Sequence, residues 1–328
     1  MPKPVVGITM GDPAGIGPEI ILKALRHPQI HSLCRPIVFG SMRFLKNLQA
    51  GAVIDIDCRS VEKPSDVVFK RGVISVIDVN VAGRIHVGKQ SEASGRAALA
   101  YLDRAIESAT RGEIDALVTA PVSKVAIRRA GLDGFVGHTE YLAEKAGVPE
   151  VAMMFHGARL NVVLVTTHIP LKDVSDSISA GRILTVIKLA NEALGRLGFS
   201  RRRIGVAGLN PHAGEEKSFG NEDADVIAPA VKKARKSGID VHGPFPADTL
   251  FYAAYHGEYD LIVAMYHDQA LAPFKMIAFD SGVNVTLGLP FVRTSVDHGT
   301  AFNIAGKGVA SDKSMVAAIK LAAKLASK

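Results

Sequence analysis

The sequence predicts an α/β protein whose strands are mostly parallel. Apolar runs rich in β-branched residues alternate along the 328 residues with longer stretches that have helical periodicity. Hydrophobic residues make up 48% of the chain and charged residues 22%, so a large core can form and global disorder is excluded. A chain of this length is long enough for two domains.

Nine apolar runs predict strands. In order they are VVGITM, PIVFG, VISVI, ALVTA, VAMMF, NVVLVTT, RIGVAG, LIVAM and VNVTL. Helical patterns lie between several of these runs, most clearly over residues 91–111, 180–197, 223–237 and 314–328. This alternation is typical of parallel strands that are connected by helices.

The composition argues against several classes of protein. Two cysteines, Cys34 and Cys58, cannot build a disulfide framework and lack the Cys-x-x-Cys spacing of zinc or redox sites. No apolar run reaches the roughly 18 residues of a membrane-spanning helix, and the amino-terminal residues lack the regions of a secretory signal. We therefore expect a cytoplasmic protein without a membrane partner.

The formal net charge of +7 raises the question of nucleic-acid binding. The positive residues are spread along the chain, with local clusters only at 201–203 and 232–236. Aromatic residues make up 6% and tryptophan is absent, so there is no stacking platform for bases. A protein that handles small anions accounts for the charge equally well, and no nucleic-acid partner is expected.

A glycine-rich segment, GDPAGIG at residues 11–17, follows the first predicted strand and precedes a helix through Leu25 with Pro18 in its first turn. Glycines allow a tight turn or a close approach to a ligand, and a helix amino terminus favours anions. The segment matches neither the dinucleotide fingerprint nor a Walker loop. A structural turn and an anion site therefore both remain open.

The GHTE segment at residues 137–140 opens another predicted helix. Thr139 is of the right type to be its N-cap. Alternatively, His138 and Thr139 present an imidazole and a hydroxyl beside the free N–H groups of a first helical turn, which suits a phosphate. An N-cap can serve both purposes, so the two interpretations stay open.

Three histidines share one sequence context. His168, His212 and His267 each follow a predicted strand, with a turn residue close by. Neutral imidazoles suit zinc, cobalt, nickel or iron, and three protein ligands with an open position describe a catalytic metal site. Because the loops are far apart in sequence, spacing alone leaves a metal site and three unrelated histidines as alternatives.

The segment 265–308 is the richest in reactive side chains. His267 and Asp268 come just after the predicted strand LIVAM, where ligands bind in open α/β sheets. Lys275, Asn284, Arg293 and a second Asp-His pair follow, before a tail with several glycines.

Ordered motifs along the whole chain resemble one family, the 4-hydroxythreonine-4-phosphate dehydrogenases of pyridoxal phosphate biosynthesis, which is related to isocitrate and isopropylmalate dehydrogenases. The motifs are MGDPAGIGPE, TAPVSK, GHTE, TTHIPL, NPHAGE, PADTLF, MYHDQ and LGLPFVRTSVDHGTA.

The resemblance implies an isopropylmalate-dehydrogenase-like fold of two α/β/α domains with the active site in an interdomain cleft. The expected first domain comprises residues 1–137 and 283–328 and carries the nucleotide-type loop. The second comprises 138–282, with the metal-binding histidines and the interface of a homodimer that shares its active site.

The resemblance also implies roles for individual residues. The family's metal ligands match His168, His212 and His267. Its substrate-binding residues match a second set, namely His138, Thr139, Lys275, Asn284 and Arg293. The tail DHGTAFNIAGKG is similar to an adenosine-binding loop, which implies that His298, Gly299 and Asn303 bind NAD or NADP. An Asp often stands in the position of Asn303, so its contact to the ribose hydroxyl is expected to differ.

The implied reaction is the oxidation of 4-phosphohydroxy-L-threonine at its 3-hydroxyl, followed by decarboxylation to 3-amino-2-oxopropyl phosphate in pyridoxine 5'-phosphate biosynthesis. It needs NAD (or NADP) and a divalent metal, which could be zinc, magnesium or cobalt. Lys275 and Asp268 are both candidates for the catalytic base. Some relatives instead oxidise 4-phospho-D-threonate or 4-phospho-D-erythronate in sugar-acid catabolism, and the sequence leaves this alternative open.

Overall fold

A computed structural model describes residues 3–52, 56–67 and 72–327. The chain divides into two compact units, of which unit 1 comprises Met1–Pro149 with Leu289–Lys328 and unit 2 comprises Glu150–Gly288.

The described residues form strands β1 to β12 and helices α1 to α12. The strands are β1 (Val5–Thr9), β2 (Arg35–Gly40), β3 (Asp57–Val61), β4 (Val73–Asp78), β5 (Ala116–Thr119), β6 (Ala152–His156), β7 (Asn161–Leu164), β8 (Ile204–Ala207), β9 (Val241–Phe245), β10 (Leu261–Ala264), β11 (Val283–Leu287) and β12 (Val292–Val296). The helices are α1 (Gly17–Leu25), α2 (Pro28–Leu33), α3 (Met42–Ala52), α4 (Glu92–Thr110), α5 (Lys124–Arg129), α6 (His138–Ala146), α7 (Val174–Ser177), α8 (Ala180–Leu197), α9 (Ala228–Lys236), α10 (Ala247–Tyr255), α11 (His267–Ala278) and α12 (Lys313–Ala326).

Unit 1 has six parallel strands in the order β3-β4-β2-β1-β5-β12. Strands β1, β2 and β5 are buried along nearly their whole length, which explains their continuous apolar sequences. Because the strands are parallel, their carboxyl ends meet at one edge of the sheet.

Unit 2 has six strands in the order β11-β6-β7-β10-β8-β9. Neighbours from β7 to β9 are parallel, whereas β6 runs antiparallel to both β7 and β11. Helix α11 buries Ala270, Leu271, Phe274 and Ala278, a spacing that forms one helical face. The Phe274 ring lies 5.6 Å from the Phe155 ring, centroid to centroid, and this packing fixes α11 on the sheet.

The predicted α/β architecture with mostly parallel strands is confirmed. All nine predicted strands are present, and α8 has the predicted bounds. The sequence analysis missed β3, β9 and β12, because DCRSV, VHGPF and VRTSV lack a continuous apolar run. The predicted helix 223–237 is divided into a π-helical turn, Asp223–Ile227, and α9.

The unit boundaries differ from the predicted domain boundaries at two short segments. Residues 138–149 belong to unit 1, where α6 packs against α4. Residues 283–288 belong to unit 2, where β11 pairs with β6. In the part of the chain that the structure describes, no helix is both long and apolar enough to cross a membrane.

Candidate active site

The three predicted metal ligands follow three neighbouring strands of unit 2. His168 comes after β7, His267 after β10 and His212 after β8, and β10 lies between the other two strands. The strands are parallel, so all three loops leave the same edge of the sheet. The sequence could place each histidine after a strand, but only the structure shows that the strands are neighbours.

Two of the three imidazoles lie close together. The His168 and His267 rings are 5.6 Å apart between centroids, and both line a cavity of about 240 Å³ with Thr167, Tyr266 and Asp268 among its walls. The His212 ring instead packs 6.0 Å from the Phe219 ring. Among the described residues of one chain, no three His, Cys, Asp or Glu side chains gather closely enough to hold a metal.

The donor chemistry nevertheless suits a divalent ion. A spacing of 5.6 Å between two rings is compatible with two imidazoles on one ion at about 2 Å from each nitrogen. Asp268 accepts a hydrogen bond at 2.6 Å from Nδ1 of His267. A carboxylate on one ring nitrogen orients the imidazole and leaves Nε2 as the metal-binding atom. Asp268, predicted as a catalytic base, thus has an orienting contact.

Hydrogen bonds tie the ends of the three strands together. Thr166 donates from its hydroxyl to the carbonyl of Met265 at 2.7 Å, which joins the loops after β7 and β10. The amide oxygen of Gln269 accepts from the Met265 N–H at 2.7 Å, and its amide nitrogen donates to the Gly208 carbonyl at 2.7 Å. Gln269 therefore connects the loop of His267 with the loop of His212. No local sequence pattern points to this residue.

The loop of His212 has an unusual backbone. His212, Ala213, Glu215, Glu216 and Lys217 all have positive φ angles, a conformation that is costly for residues with a Cβ. The buried carboxylate of Asp223 accepts from the N–H groups of Leu209 and Asn210, at 2.8 and 3.1 Å, and so holds the start of the loop. Strain of this kind often accompanies functional sites.

Two predicted substrate-binding residues also lie in unit 2. Lys275 lies on α11, partly exposed, seven residues after Asp268 and therefore on the same side of the helix. Asn284 is the second residue of β11, opposite Phe155, and is buried.

In unit 1, Arg293 is the main candidate for binding an anion. It lies on β12 opposite Leu117, and its guanidinium reaches along the strand to donate to the Thr119 hydroxyl at 2.7 Å, at the carboxyl end of β5. Burial lowers the pKa of Arg293 to about 9, partly offset by the nearby Glu140 carboxylate. Because desolvation disfavours the charge, an anion next to the guanidinium would be stabilising.

His138 and Thr139 begin helix α6. Of the two open interpretations of Thr139, the N-cap is wrong, since Gly137 takes that position with extended backbone and Thr139 lies buried within the first turn. Burial, together with the Arg293 and Lys124 charges, holds the pKa of His138 well below its usual value, so the imidazole is neutral. Its buried Nε2 has no hydrogen-bond partner in the structure.

Lys124 is a further basic residue near this group, and the sequence analysis gave it no role. It begins α5, just after Ser123, whose hydroxyl accepts from the Ala126 N–H as the N-cap. The charge of Lys124 acts on His138, which brings the TAPVSK motif to the same group of residues as the GHTE motif.

The GDPAGIG loop is a tight packing turn. A Cβ at Gly11, Gly15 or Gly17 would lie 2.4, 2.8 and 2.4 Å from the backbone oxygens of Pro121, Thr300 and Met10, respectively. Asp12 is buried and accepts from the Ala14 N–H at 2.9 Å. This geometry supports the structural interpretation of the glycines.

The predicted nucleotide loop is exposed at its tip. His298, Gly299 and Asn303 are all exposed, and Nδ1 of His298 lies 3.1 Å from the Gly299 carbonyl oxygen. A Cβ at Gly299 would meet nothing within 4 Å, so space for a ligand is present beside the backbone.

The fold is that of an α/β protein with polar and cationic side chains at the carboxyl ends of parallel strands, which is the usual position of ligand sites in such sheets. Residues 32–322 match the family described as Pyridoxal phosphate biosynthetic protein PdxA. The chain belongs to this family.

Relatives and solved structures agree with this assignment. The chain is 46% identical to the 4-hydroxythreonine-4-phosphate dehydrogenase of Desulforapulum autotrophicum, covering 98% of this chain and 95% of that protein. It is also 46% identical to the D-threonate 4-phosphate dehydrogenase of Cupriavidus necator, covering 99% and 98%. The crystal structure of 4-hydroxythreonine-4-phosphate dehydrogenase from Klebsiella pneumoniae is 41% identical, with a TM-score of 0.90 and 98% and 99% coverage.

Proposed function

We propose that this protein is an NAD(P)-dependent and divalent-metal-dependent dehydrogenase of a phosphorylated four-carbon hydroxy acid. The observation that carries the proposal is the buried Arg293, held by Thr119 at the end of β5 near the neutral His138. A desolvated guanidinium is a strong and bidentate partner for a phosphate. The names of the relatives, which are dehydrogenases of 4-phosphorylated acids, support the same function.

In the proposed reaction the phosphate of the substrate binds to Arg293, with Thr139 donating a hydroxyl hydrogen bond. His138 is neutral, so it donates one N–H without adding charge. Asn284 and Lys275 bind the polar groups at the other end of the substrate. Fixing both ends orients the 3-hydroxyl for oxidation.

His168, His212 and His267 would hold a divalent cation, zinc, magnesium or cobalt, which acts as a Lewis acid on the substrate's 3-hydroxyl. Asp268 keeps the His267 ring in the tautomer that leaves Nε2 available. NAD or NADP would supply the hydride acceptor for C3, and a base of this chain takes the proton of the 3-hydroxyl.

Lys275 is the proposed base. Its rival, Asp268, is 86% exposed at the side chain and already accepts a hydrogen bond from His267, so we assign it to orientation. Lys275 lies on the same side of α11 as Asp268 and can return a proton to the product after carbon dioxide leaves.

The preferred substrate in this proposal is 4-phosphohydroxy-L-threonine. Oxidation gives a β-keto acid, and breakage of its bond to the carboxyl carbon gives 3-amino-2-oxopropyl phosphate, a step of pyridoxine 5'-phosphate biosynthesis. The second candidate is 4-phospho-D-threonate or 4-phospho-D-erythronate, as substrate of a 3-dehydrogenase in sugar-acid catabolism. Relatives with the D-threonate name reach the same 46% identity, which favours keeping this candidate.

We further propose that the enzyme is a cytoplasmic homodimer with a shared active site, as the family resemblance implies. His298, Gly299 and Asn303 are proposed to bind NAD or NADP.

A turnover assay tests the function. Purified protein is supplied with NAD or NADP, with each of the three metals in turn, and with both substrate classes. Reduction of the nicotinamide with one substrate class identifies the substrate. A protein that binds phosphorylated ligand and metal, yet reduces neither NAD nor NADP with either class, would be a binding protein without catalysis and would contradict the proposal.

A further inference from the structure

Helix α1 holds both ends of the predicted nucleotide loop. At the amino end of the helix, the Ile16 N–H donates to the Thr300 carbonyl at 2.9 Å. One turn later, the Glu19 carboxylate accepts from the N–H of Ala310 at 3.0 Å and from the N–H of Gly308 at 3.3 Å. The loop is therefore attached to α1 at residue 300 and again at residues 308 and 310.

Lys23 completes the second attachment. Its ammonium group donates to the carbonyl oxygens of Gly308 and Ala310, at 2.8 and 2.7 Å, and to Glu19 at 2.9 Å. The two side chains thus bind both the N–H and the carbonyl groups of the same two loop residues.

This ion pair differs from an ordinary pair on a helix surface. Glu107 and Arg111 have the same spacing, but their side chains are 45% and 61% exposed, and such pairs contribute little. The side chain of Glu19 is 1% exposed. A buried carboxylate is costly unless it is paired and hydrogen-bonded, and the loop backbone with Lys23 supplies those partners.

Between the two attachments the loop has only local turns. Ile304, Ala305 and Lys307 donate their N–H groups to the carbonyls three residues earlier. Ala305 and Gly306 also line a cavity of about 380 Å³ whose walls include the apolar side chains of Phe44, Leu48 and Val87. Apolar side chains beside polar groups such as Asn47 suit a heteroaromatic ring such as the base of a dinucleotide.

We infer that Glu19 and Lys23 are positioning residues that set the affinity for the nicotinamide cofactor by fixing the loop 300–310. The inference rests on the proposed function, in which this loop binds NAD or NADP. A preordered loop binds its ligand more tightly, since less conformational entropy is lost on binding. Glu19, the last residue of the MGDPAGIGPE motif, then has a role in cofactor binding that the glycines of the motif do not have.

The test compares Glu19→Gln and Lys23→Met with the wild type in two measurements. Glu19→Gln replaces an acceptor oxygen by a donor that faces a loop N–H or Lys23, and Lys23→Met keeps an apolar stem without its three donors. Hydrogen exchange by mass spectrometry reports the amides of residues 300–312, and titration with NADH or NADPH, followed by its fluorescence, gives the dissociation constant. Ser108→Ala, which loses a part-buried hydrogen bond to Glu113 elsewhere in unit 1, is the control.

We expect faster hydrogen exchange in residues 300–312 for both variants. The dissociation constant of NADH or NADPH should rise about tenfold, which corresponds to the loss of roughly one charged hydrogen bond. Ser108→Ala should change neither. KM for the phosphorylated substrate at saturating cofactor should stay within about twofold, since neither Glu19 nor Lys23 is among the residues proposed to bind the substrate. Unchanged exchange, or faster exchange with unchanged cofactor affinity, overturns the inference. If the wild type itself binds neither NADH nor NADPH, the proposed cofactor is wrong. This result is distinguishable from a failure of the inference on Glu19 and Lys23, in which the wild type binds the cofactor and the variants bind it equally well.

Discussion

At the residue scale, the sequence predicts the chemical type of the site residues but not their environment. The family resemblance implies that Arg293 binds the substrate, and the chemistry of its guanidinium suits a phosphate. The structure adds that its guanidinium is buried and held by Thr119. Thr139 shows the limit, because a threonine at a helix start resembles an N-cap, whereas the extended backbone of Gly137 takes that position. Burial and capping depend on neighbours distant in sequence, which local patterns do not report.

The first prediction concerns Arg293→Lys. Lysine keeps the charge but loses the planar fork, so we expect KM for the phosphorylated substrate to rise by the equivalent of about 1 to 3 kcal/mol. Steady-state kinetics with phosphorylated and unphosphorylated substrate measures this. Arg104→Lys, on α4, is the matched control and should leave KM unchanged. The assignment fails if Arg293→Lys discriminates the two substrates as well as the wild type.

The second prediction concerns pH and His138. Its folded pKa lies well below 6.5, the value expected in the unfolded chain, so below about pH 6.5 the unfolded state binds one more proton. The free energy of unfolding should therefore decrease as the pH is lowered. His138 contributes up to about 1.4 kcal/mol of this decrease per pH unit. His138→Gln lacks this contribution.

Urea unfolding at several values between pH 7.5 and 5 measures the effect. The free energy of unfolding of the wild type should decline more steeply with falling pH than that of His138→Gln. Parallel curves for the two proteins would show that His138 takes up a proton equally well in the folded and unfolded states.

At the element scale, hydrophobic runs predicted the strands but not their order. The rule that strands precede His168, His212 and His267 was correct, and β7, β10 and β8 proved to be neighbours. Gln269 escaped notice because a side chain that bonds to two backbones across different loops leaves no local pattern. Strand β12 was missed for a related reason, since the strand VRTSV carries Arg293 in place of an apolar residue.

The third prediction concerns Gln269→Leu. Leucine has a similar volume but removes both side-chain hydrogen bonds of Gln269, including the one to Gly208 that joins the loops of His267 and His212. We expect the affinity for Co²⁺ or Zn²⁺ to fall by about 10-fold to 100-fold, as for other residues that orient ligands. Calorimetric titration of the metal-free protein measures the affinity, and thermal unfolding without metal measures stability separately.

Asn161→Leu is the control for that experiment. Its amide donates to the Asp260 carbonyl at 2.9 Å, at the amino ends of β7 and β10, away from the histidine loops. It should lower the melting temperature and leave metal affinity unchanged. If Gln269→Leu also lowers only the melting temperature, Gln269 has a structural role alone.

At the scale of the whole molecule, each unit carries a different part of the predicted chemistry. Unit 2 contains the three histidines, Lys275 and Asn284, whereas unit 1 contains Arg293, His138 and the nucleotide loop. The sequence could not predict which histidines share one metal ion. The rings of His168 and His267 are neighbours in one chain, while a shared site in a homodimer would combine histidines from two chains.

The fourth prediction is that the enzyme works only as a homodimer whose metal sites each use both chains. Subunits with His168→Ala and subunits with His267→Ala should both be inactive. Mixed under conditions that allow exchange, they should regain activity if His168 and His267 bind the metal from different chains. In a random mixture about half the dimers are hybrids, and each hybrid has one intact and one doubly damaged site, so recovery should approach roughly a quarter of wild-type turnover.

The other two pairings identify how the ligands are divided. If His267 alone comes from the partner, subunits with His267→Ala recover activity when mixed with either His168→Ala or His212→Ala subunits. Mixtures of His168→Ala with His212→Ala then stay inactive. If His212 alone comes from the partner, as the His168 and His267 ring pair within one chain would allow, the pairing of His168→Ala with His267→Ala stays inactive. Mass spectrometry must confirm exchange in every mixture. If none of the three mixtures recovers activity, the complete site lies on one chain, because a shared site requires that at least two of the mixtures recover.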